Sequence, residues 1–128
     1  MITYSRSLDN IDPQDLQGFF VGWDKPLTPE QHYEILQNSQ YIVIATDQQT
    51  KKIVGFINAL SDRIRFAYIP MLEVLPDYQG KGIGTELMRK LLDDLSHLGC
   101  IDLSCDENLQ NFYQKFGMIK HYAMLLRR

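Results

Sequence analysis

Glycines at the alternate positions 80, 82 and 84 stand where a strand-forming segment gives way to the longest helical repeat of the chain. Residues 66–75 before them are rich in aromatic and branched side chains, which favours a β-strand. From 82 to 98 apolar side chains recur three and four residues apart, which predicts an amphipathic helix. The first N–H groups of a helix lack partners within it, and with the positive end of the helix dipole they bind anions. We therefore expect a strand–turn–helix unit whose turn holds a phosphate-bearing ligand.

The rest of the chain alternates between strand and helix signals. Prolines at first helical positions predict helices that begin near Pro13 and Pro29, the first extending to about Gly22. Pro70 cannot donate to a sheet ladder, so its strand is expected to lie at an edge or to contain a bulge or break. The predicted strands are 2–5, 41–45, 53–60, 66–75, 100–104 and 118–126, and the further helices are 82–98 and 109–116. This order predicts an α/β (α+β) fold, a mixed sheet with helices on its faces.

Length and composition favour one domain over residues 1–128, since 128 residues of which 45% are hydrophobic can bury a single core. The 16 acidic and 13 basic residues form no basic run that would favour nucleic acid or a membrane surface. Neither a signal peptide nor an apolar run of about 20 residues is apparent, so a cytoplasmic location is expected. Cys100 and Cys105 fit no metal-binding spacing and are interpreted as free thiols, with Cys100 buried and no metal bound.

The glycine turn differs from two common nucleotide-binding loops. It lacks the Gly-Lys-Ser/Thr ending of a Walker A loop, and Thr85 replaces the third glycine of a dinucleotide-binding fingerprint. Gln79-Gly80-Lys81-Gly82-Ile83-Gly84 instead matches the Gln/Arg-x-x-Gly-x-Gly/Ala signature of GNAT (GCN5-related) N-acetyltransferases. Val74-x-Pro76-x-Tyr78 and Phe112-Tyr113-Gln114-Lys115-Phe116-Gly117-Met118 also resemble segments of that family. The chain thus resembles the short single-domain GNAT proteins over most of residues 40–126.

The resemblance implies a GNAT fold, in which a mostly antiparallel sheet splays open at the cleft for acetyl-CoA, the acetyl donor. The backbone of Leu72 and Val74 would pair with the pantetheine arm of that molecule. Its pyrophosphate would be held by the backbone of Gln79, Gly80, Lys81, Gly82, Ile83, Gly84 and Thr85. Family members often carry a cofactor-binding asparagine several residues before their tyrosine, where this chain has Asp106, so Asn108 or Asn111 is expected to substitute.

Two side chains are candidates for catalysis. Tyr113 occupies the position of a tyrosine that protonates the departing thiolate in many family members, and a phenol keeps its proton at neutral pH. The alternative is that Tyr113 is one more core aromatic beside Phe112 and Phe116. Glu73 is the ionisable residue of the cofactor-proximal strand and a candidate general base, or otherwise a paired structural carboxylate.

The sequence therefore predicts an acetyl-CoA-dependent N-acetyltransferase that acetylates a primary amine by direct attack in a ternary complex. The aromatic residues Phe19, Phe20, Trp23 and Tyr33 are expected either in the wall of the acceptor pocket or in the core. A small amine is the expected acceptor, and homodimers are common in the family. The alternatives are a non-catalytic acyl-CoA-binding module and an enzyme that acetylates protein lysines or N-termini.

Overall fold

A computed structural model describes all 128 residues of the chain. Its core is a five-stranded sheet flanked by three helices. The strands are β1 Ile2–Ser5, β2 Tyr41–Asp47, β3 Lys52–Ser61, β4 Phe66–Val74 and β5 Cys100–Leu103. The helices are α1 Pro29–Gln37, α2 Ile83–Asp94 and α3 Gln110–Gln114. No helix is long and apolar enough to cross a membrane.

The sheet has the order β1-β2-β3-β4-β5, so each strand lies beside its neighbour in sequence. The first four strands pair antiparallel, whereas β5 returns through α2 and pairs parallel to β4. A crossover through a helix is the usual way to connect two parallel neighbours. The predicted mixed, mostly antiparallel sheet with flanking helices is confirmed.

The helices cover the sheet on opposite faces because side chains alternate along β3. Gly55 faces α2, where a Cβ would come within 3.1 Å of the Leu87 side chain. Phe56 faces α1 instead, and its ring centre lies 4.3 Å from that of His32. The absent side chain at Gly55 lets α2 pack close to the sheet beside the glycine turn.

The strand β4 contains the interruption that Pro70 predicts. Its pairing with β3 skips from Met71 to Tyr68 opposite Asn58 and Leu60, so β4 carries an extra residue at this point. Such a bulge bends the strand and disrupts the ladder locally. The parallel pairing with β5 also ends here, at Ile69. From residue 70 onward, β4 has no strand on that side.

Two predicted elements do not form. The first predicted helix is a single 3-10 turn, Pro13–Asp15, because left-handed backbone at Gly18 and Phe20, with φ of 87° and 66°, is incompatible with a helix. The strand predicted at 118–126 is absent, and these residues have no regular secondary structure. Cys100 is half-buried rather than buried.

Candidate active site

The glycine turn between β4 and α2 is built from left-handed backbone. Gly80 and Gly82 have φ of 77° and 83°, and no atom outside their immediate neighbours lies within 4 Å of a Cβ placed at either residue. Gly82 is also the N-cap residue of α2. Because side chains are disfavoured at positive φ, glycine is required here for its conformation rather than for space within the chain.

Six successive backbone N–H groups, those of residues 80–85, donate no hydrogen bond within the chain. Those of residues 83–85 belong to the first turn of α2, a 12-residue helix whose dipole adds positive potential at this end. Alternating left-handed residues before a helix also direct successive N–H groups toward one concavity, which suits an anion. The turn is therefore a backbone cradle for phosphate, and the exposed Lys81 adds a positive charge beside it.

Two side-chain hydrogen bonds fix the cradle to the sheet. The Tyr78 hydroxyl donates to the buried carboxylate of Asp47 at 2.7 Å, and this bond is the main reason that the pKa of Asp47 is lowered. The Gln79 side-chain amide donates to the carbonyl oxygen of Val74 at 3.0 Å. Nothing in the local sequence links Asp47 to residue 78, so this hydrogen-bond partner could not be predicted from the sequence.

The free edge of β4 presents backbone groups to the same region. Leu75 N–H donates to Val54 on the β3 side, so the alternation of the strand turns the N–H and C=O groups of Leu72 and Val74 toward the open side. The predicted pantetheine-pairing residues thus lie on an edge without a partner strand. This opening between β4 and β5 corresponds to the splayed sheet that the resemblance implies.

A cleft of about 680 Å³ lies against this edge. Leu72, Glu73 and Gln79 line it, and so do Cys105 and Tyr113. Since the residues come from β4, the turn, the loop after β5 and α3, the fold brings both predicted catalytic side chains to one cavity.

The Tyr113 side chain is half-buried and packs edge-on against Phe112, with ring centres 5.0 Å apart. Burial raises the pKa of the Tyr113 phenol above 10.0, with a smaller contribution from Cys105. A raised pKa keeps the phenol protonated over the whole neutral range, as a proton donor requires.

The Glu73 carboxylate accepts hydrogen bonds from the main chain of the N-terminal loop. The Phe20 N–H lies 2.9 Å from both carboxylate oxygens, and the Val21 N–H lies 3.4 Å from one of them. The charge therefore fixes a loop in which Phe20 has a left-handed backbone. Gly18 and Gly22, inside the predicted helix, are the sequence signal that could have revealed this loop.

The N-terminal loop also supplies the aromatic wall of the cleft. Phe20 and the half-exposed Trp23 line it, with ring centres 4.9 Å apart. Phe19 is buried in the core, and Tyr33 is half-buried away from the cleft lining. The predicted aromatic group is therefore divided between core and cleft.

The predicted asparagines lie apart from the cleft. Asn108 and Asn111 are exposed and are not among its lining residues, whereas Asp106 is. No group of three or more His, Cys, Asp or Glu side chains is arranged to hold a metal ion.

The shape and chemistry of the site fit acetyl-CoA. A pyrophosphate matches the unpartnered N–H groups of residues 80–85. The amides of a pantetheine arm match the backbone of Leu72 and the N–H of Val74 on the free edge, where the Val74 carbonyl already accepts from the Gln79 side chain. That arm would lead from the turn along β4 toward the cleft that Tyr113 lines.

Comparisons with known proteins agree with this arrangement. The profile of the Acetyltransferase (GNAT) family matches residues 8–118. An uncharacterized N-acetyltransferase, ycf52, of Pyropia yezoensis is 32% identical over 124 residues, covering 91% of this chain and 70% of that protein. The chloroplastic GCN5-related N-acetyltransferase 2 of Arabidopsis thaliana is 33% identical, and the match covers 84% of this chain but only 50% of that longer protein.

A solved structure shares the fold as well. A crystal structure from Deinococcus radiodurans R1, whose protein carries a provisional acetyltransferase description, superposes with a TM-score of 0.95 at 42% identity. The superposition covers 99% of this chain and 88% of that one. With the family profile spanning most of its length, this chain belongs to the GNAT family of acetyltransferases.

Proposed function

We propose that the protein transfers the acetyl group of acetyl-CoA to a small primary amine, with both substrates bound at the cleft between β4 and α3. The observation that carries this proposal is that the free edge of β4 at Leu72 and the Tyr113 side chain line one cavity, which also reaches Gln79 at the start of the phosphate cradle. A module that only bound acyl-CoA would need the cradle and the free edge but no half-buried proton donor in the cleft.

Acetyl-CoA, the acetyl donor, is held by main-chain groups rather than by charged side chains. Six N–H groups and the end of α2 offer the diphosphate a preformed site, so little conformational entropy is lost on binding. The backbone of Leu72 and Val74 adds strand-like hydrogen bonds to the amides of the pantetheine arm. Acetyl-CoA supplies an activated acyl group, the thioester.

The acceptor side combines negative charge with aromatic surface. Glu73 and Asp106 line the cleft and outnumber the single lining arginine, Arg127, which favours a cationic amine. The Trp23 ring offers a face to that cation. An ammonium group with a pKa of about 10 must lose a proton before its nitrogen can attack. The Glu73 carboxylate has about four lone-pair sites, and its amide contacts leave capacity to accept that proton directly or through water.

In the transfer step, the neutral amine nitrogen forms a bond to the acetyl carbonyl carbon, the carbon–sulfur bond breaks, and the nitrogen releases its second proton to solvent to leave the amide. The Tyr113 hydroxyl donates its proton to the departing sulfur and is reprotonated from solvent. A thiolate of pKa about 8.5 is already a fair leaving group. Proton donation by Tyr113 is therefore expected to raise kcat by about 10²-fold, the low end for general acid catalysis. Holding the two reactants together supplies most of the remaining rate enhancement.

The substitution Tyr113→Phe tests this assignment, with Tyr4→Phe as a matched control on β1, outside the cleft. Turnover is followed by release of free thiol, and CoA affinity is measured by calorimetry. We expect Tyr113→Phe to lower kcat about 10²-fold with CoA affinity nearly unchanged, and Tyr4→Phe to change neither. Wild-type turnover in Tyr113→Phe would remove the tyrosine from the mechanism.

A further inference from the structure

The cleft carries charges of both signs, and the proposed reaction uses only the negative ones. Glu73 and Asp106 contribute carboxylates, and Arg127 contributes the single guanidinium. An acceptor whose only charge was its ammonium group would be repelled by Arg127, because like charges that face one cavity oppose each other. An arginine in an amine site therefore needs an explanation.

The Arg127 guanidinium has no partner within the chain. The three ion pairs of the structure join other residues. No cation–π contact includes Arg127 either. A guanidinium offers five N–H donors in a planar fork that matches the two oxygens of a carboxylate. The side chain is thus free to bind an anionic group of a ligand.

The Asp106 carboxylate is unpaired as well. Asp106 is the N-cap residue of the 3-10 turn Glu107–Leu109, but its side chain makes no capping hydrogen bond. It also forms no ion pair with Arg127, although both side chains line the same cleft. Opposite charges that line one cavity without neutralising each other can each bind the complementary group of a single ligand.

The path of the last residues explains why Arg127, and not the arginine next to it, reaches the cleft. Leu125 and Arg127 line the cleft, whereas Leu126 and Arg128 do not. Residues 118–128 contain no helical turn, and alternate side chains face the cleft as they do in an extended segment. Leu125 therefore adds apolar surface on the same side of the segment as the Arg127 charge.

Further apolar surface in the cleft remains open to a ligand. Trp23, Leu109 and Leu125 line it and are 49%, 45% and 59% exposed. Apolar side chains gathered in a cavity with a few polar groups are typical of small-molecule sites, which span about 300–1,000 Å³. The cleft of about 680 Å³ therefore has room for an apolar group beside the end of the pantetheine arm.

We propose that the acceptor is an amino acid with an apolar body, that is, a primary amine that also bears a carboxylate. Its ammonium group binds on the side of Glu73 and Asp106, and its carboxylate binds the Arg127 guanidinium. Its apolar body packs against Trp23 and Leu125. Arg127 is then a specificity-determining residue of the acceptor site. This inference rests on the proposed function and narrows its acceptor.

Arg127 is assigned to the acceptor rather than to the phosphates of CoA. The cradle N–H groups belong to residues 80–85, and none of these residues lines the cleft that Arg127 lines. Lys81 already supplies a positive charge at the cradle. In calorimetry, Arg127→Gln should therefore bind CoA within about twofold of the wild-type affinity, which is less than one charge-assisted hydrogen bond contributes.

Pairs of acceptors that differ by the carboxylate test the proposal. Benzylamine and para-aminomethylbenzoate place it across a ring from the amine, whereas phenethylamine and phenylalanine place it beside the amine. For each acceptor, kcat/KM is measured from the release of free thiol. In wild type at least one carboxylated acceptor should exceed its plain partner about tenfold, as expected for one charge-assisted hydrogen bond at an exposed site. The preferred pair also reports the spacing of the two charges.

Variants separate the role of Arg127 from general effects of charge. The carboxylate preference should fall about tenfold in Arg127→Gln, and Arg127→Lys should restore part of it because the charge returns without the planar fork. The ratio within a pair cancels differences in intrinsic reactivity between acceptors. Arg128→Gln is the matched control, since it removes the same charge from the adjacent exposed residue outside the cleft. It should keep the wild-type preference.

The proposal is overturned if wild type prefers neither carboxylated acceptor, or if the preference survives Arg127→Gln. An equal loss in Arg128→Gln, or a loss of CoA affinity in Arg127→Gln, also overturns it. Failure of the proposed reaction is a different result, in which none of the four acceptors releases thiol. Calorimetric titration of the same four compounds into the CoA-bound protein then decides the site. Tighter binding of a carboxylated compound that requires Arg127 supports it, and equal or undetectable binding overturns it.

Discussion

The left-handed conformation of Gly82 makes the cradle sensitive to a single methyl group. At φ of 83° a Cβ meets no atom within 4 Å, so Gly82→Ala introduces backbone strain and no clash. This strain costs about 1 kcal/mol of folding free energy. Relief of the strain would turn the N–H groups of residues 80–85 away from the ligand, and we expect CoA affinity to fall about tenfold, or about 1.4 kcal/mol.

Gly84 is the matched control because it is two residues away but helical. A Cβ there would make ordinary contacts with Val74 and Phe112, at 3.8 Å and 3.9 Å. Gly84→Ala should therefore stabilise the fold by about 0.5 kcal/mol through lower chain entropy in the unfolded state. Its CoA affinity should stay within about threefold of wild type, under 1 kcal/mol.

Urea unfolding and CoA calorimetry on both variants measure these effects. Because 1 kcal/mol corresponds to about 4 °C in Tm for a domain of this size, thermal melts should separate the two by about 6 °C. A Gly82→Ala protein as stable as wild type would refute the argument from left-handed backbone. A folded Gly82→Ala protein with unchanged CoA affinity would show that the phosphates of CoA do not bind at the glycine turn.

Three further substitutions address other contacts. Burial lowers the pKa of His32 to about 4, so between pH 6.5 and pH 4 the imidazole is protonated in the unfolded chain but not in the folded one. The free energy of unfolding of the wild type should therefore fall by on the order of 2 kcal/mol as pH drops from 6.5 toward 4, and by less in His32→Phe. Urea titrations at a series of acidic pH values measure this difference. Tyr78→Phe removes the bond to Asp47 and should weaken CoA binding severalfold in calorimetry. Glu73→Gln keeps one oxygen that can accept from the Phe20 N–H, so we expect a small drop in Tm and a much larger loss of turnover; wild-type turnover would show that Glu73 anchors the loop and is not the base.

Local signals predicted the parts of the fold that depend on neighbouring residues. Each of these signals affects only residues close to it in sequence. They are the apolar period of α2, the capping residues Thr28 and Gln31 of α1, and the interruption of β4 at Pro70. The glycine turn is equally local, which is why its cradle of N–H groups could be expected in advance.

Distant contacts account for the errors. Amides that would have continued the first predicted helix instead bind the Glu73 carboxylate, 53 residues away in sequence. The predicted last strand has the right composition, but strand formation needs a partner edge, and periodicity does not reveal whether one is in reach. The placement of Tyr113 in the same cleft as Glu73 likewise depends on the packing of α3 against the sheet rather than on its own segment.

The central claim is that this cleft transfers an acetyl group to an amine. The most direct measurement mixes the wild-type protein with acetyl-CoA and a panel of small amines and peptides, and follows free thiol together with the acetylated product by mass spectrometry. We expect thiol release above hydrolysis for at least one small amine, with one acetylated amine formed per thiol. Tight CoA binding without acceptor-dependent thiol release, for every amine and peptide, would contradict it.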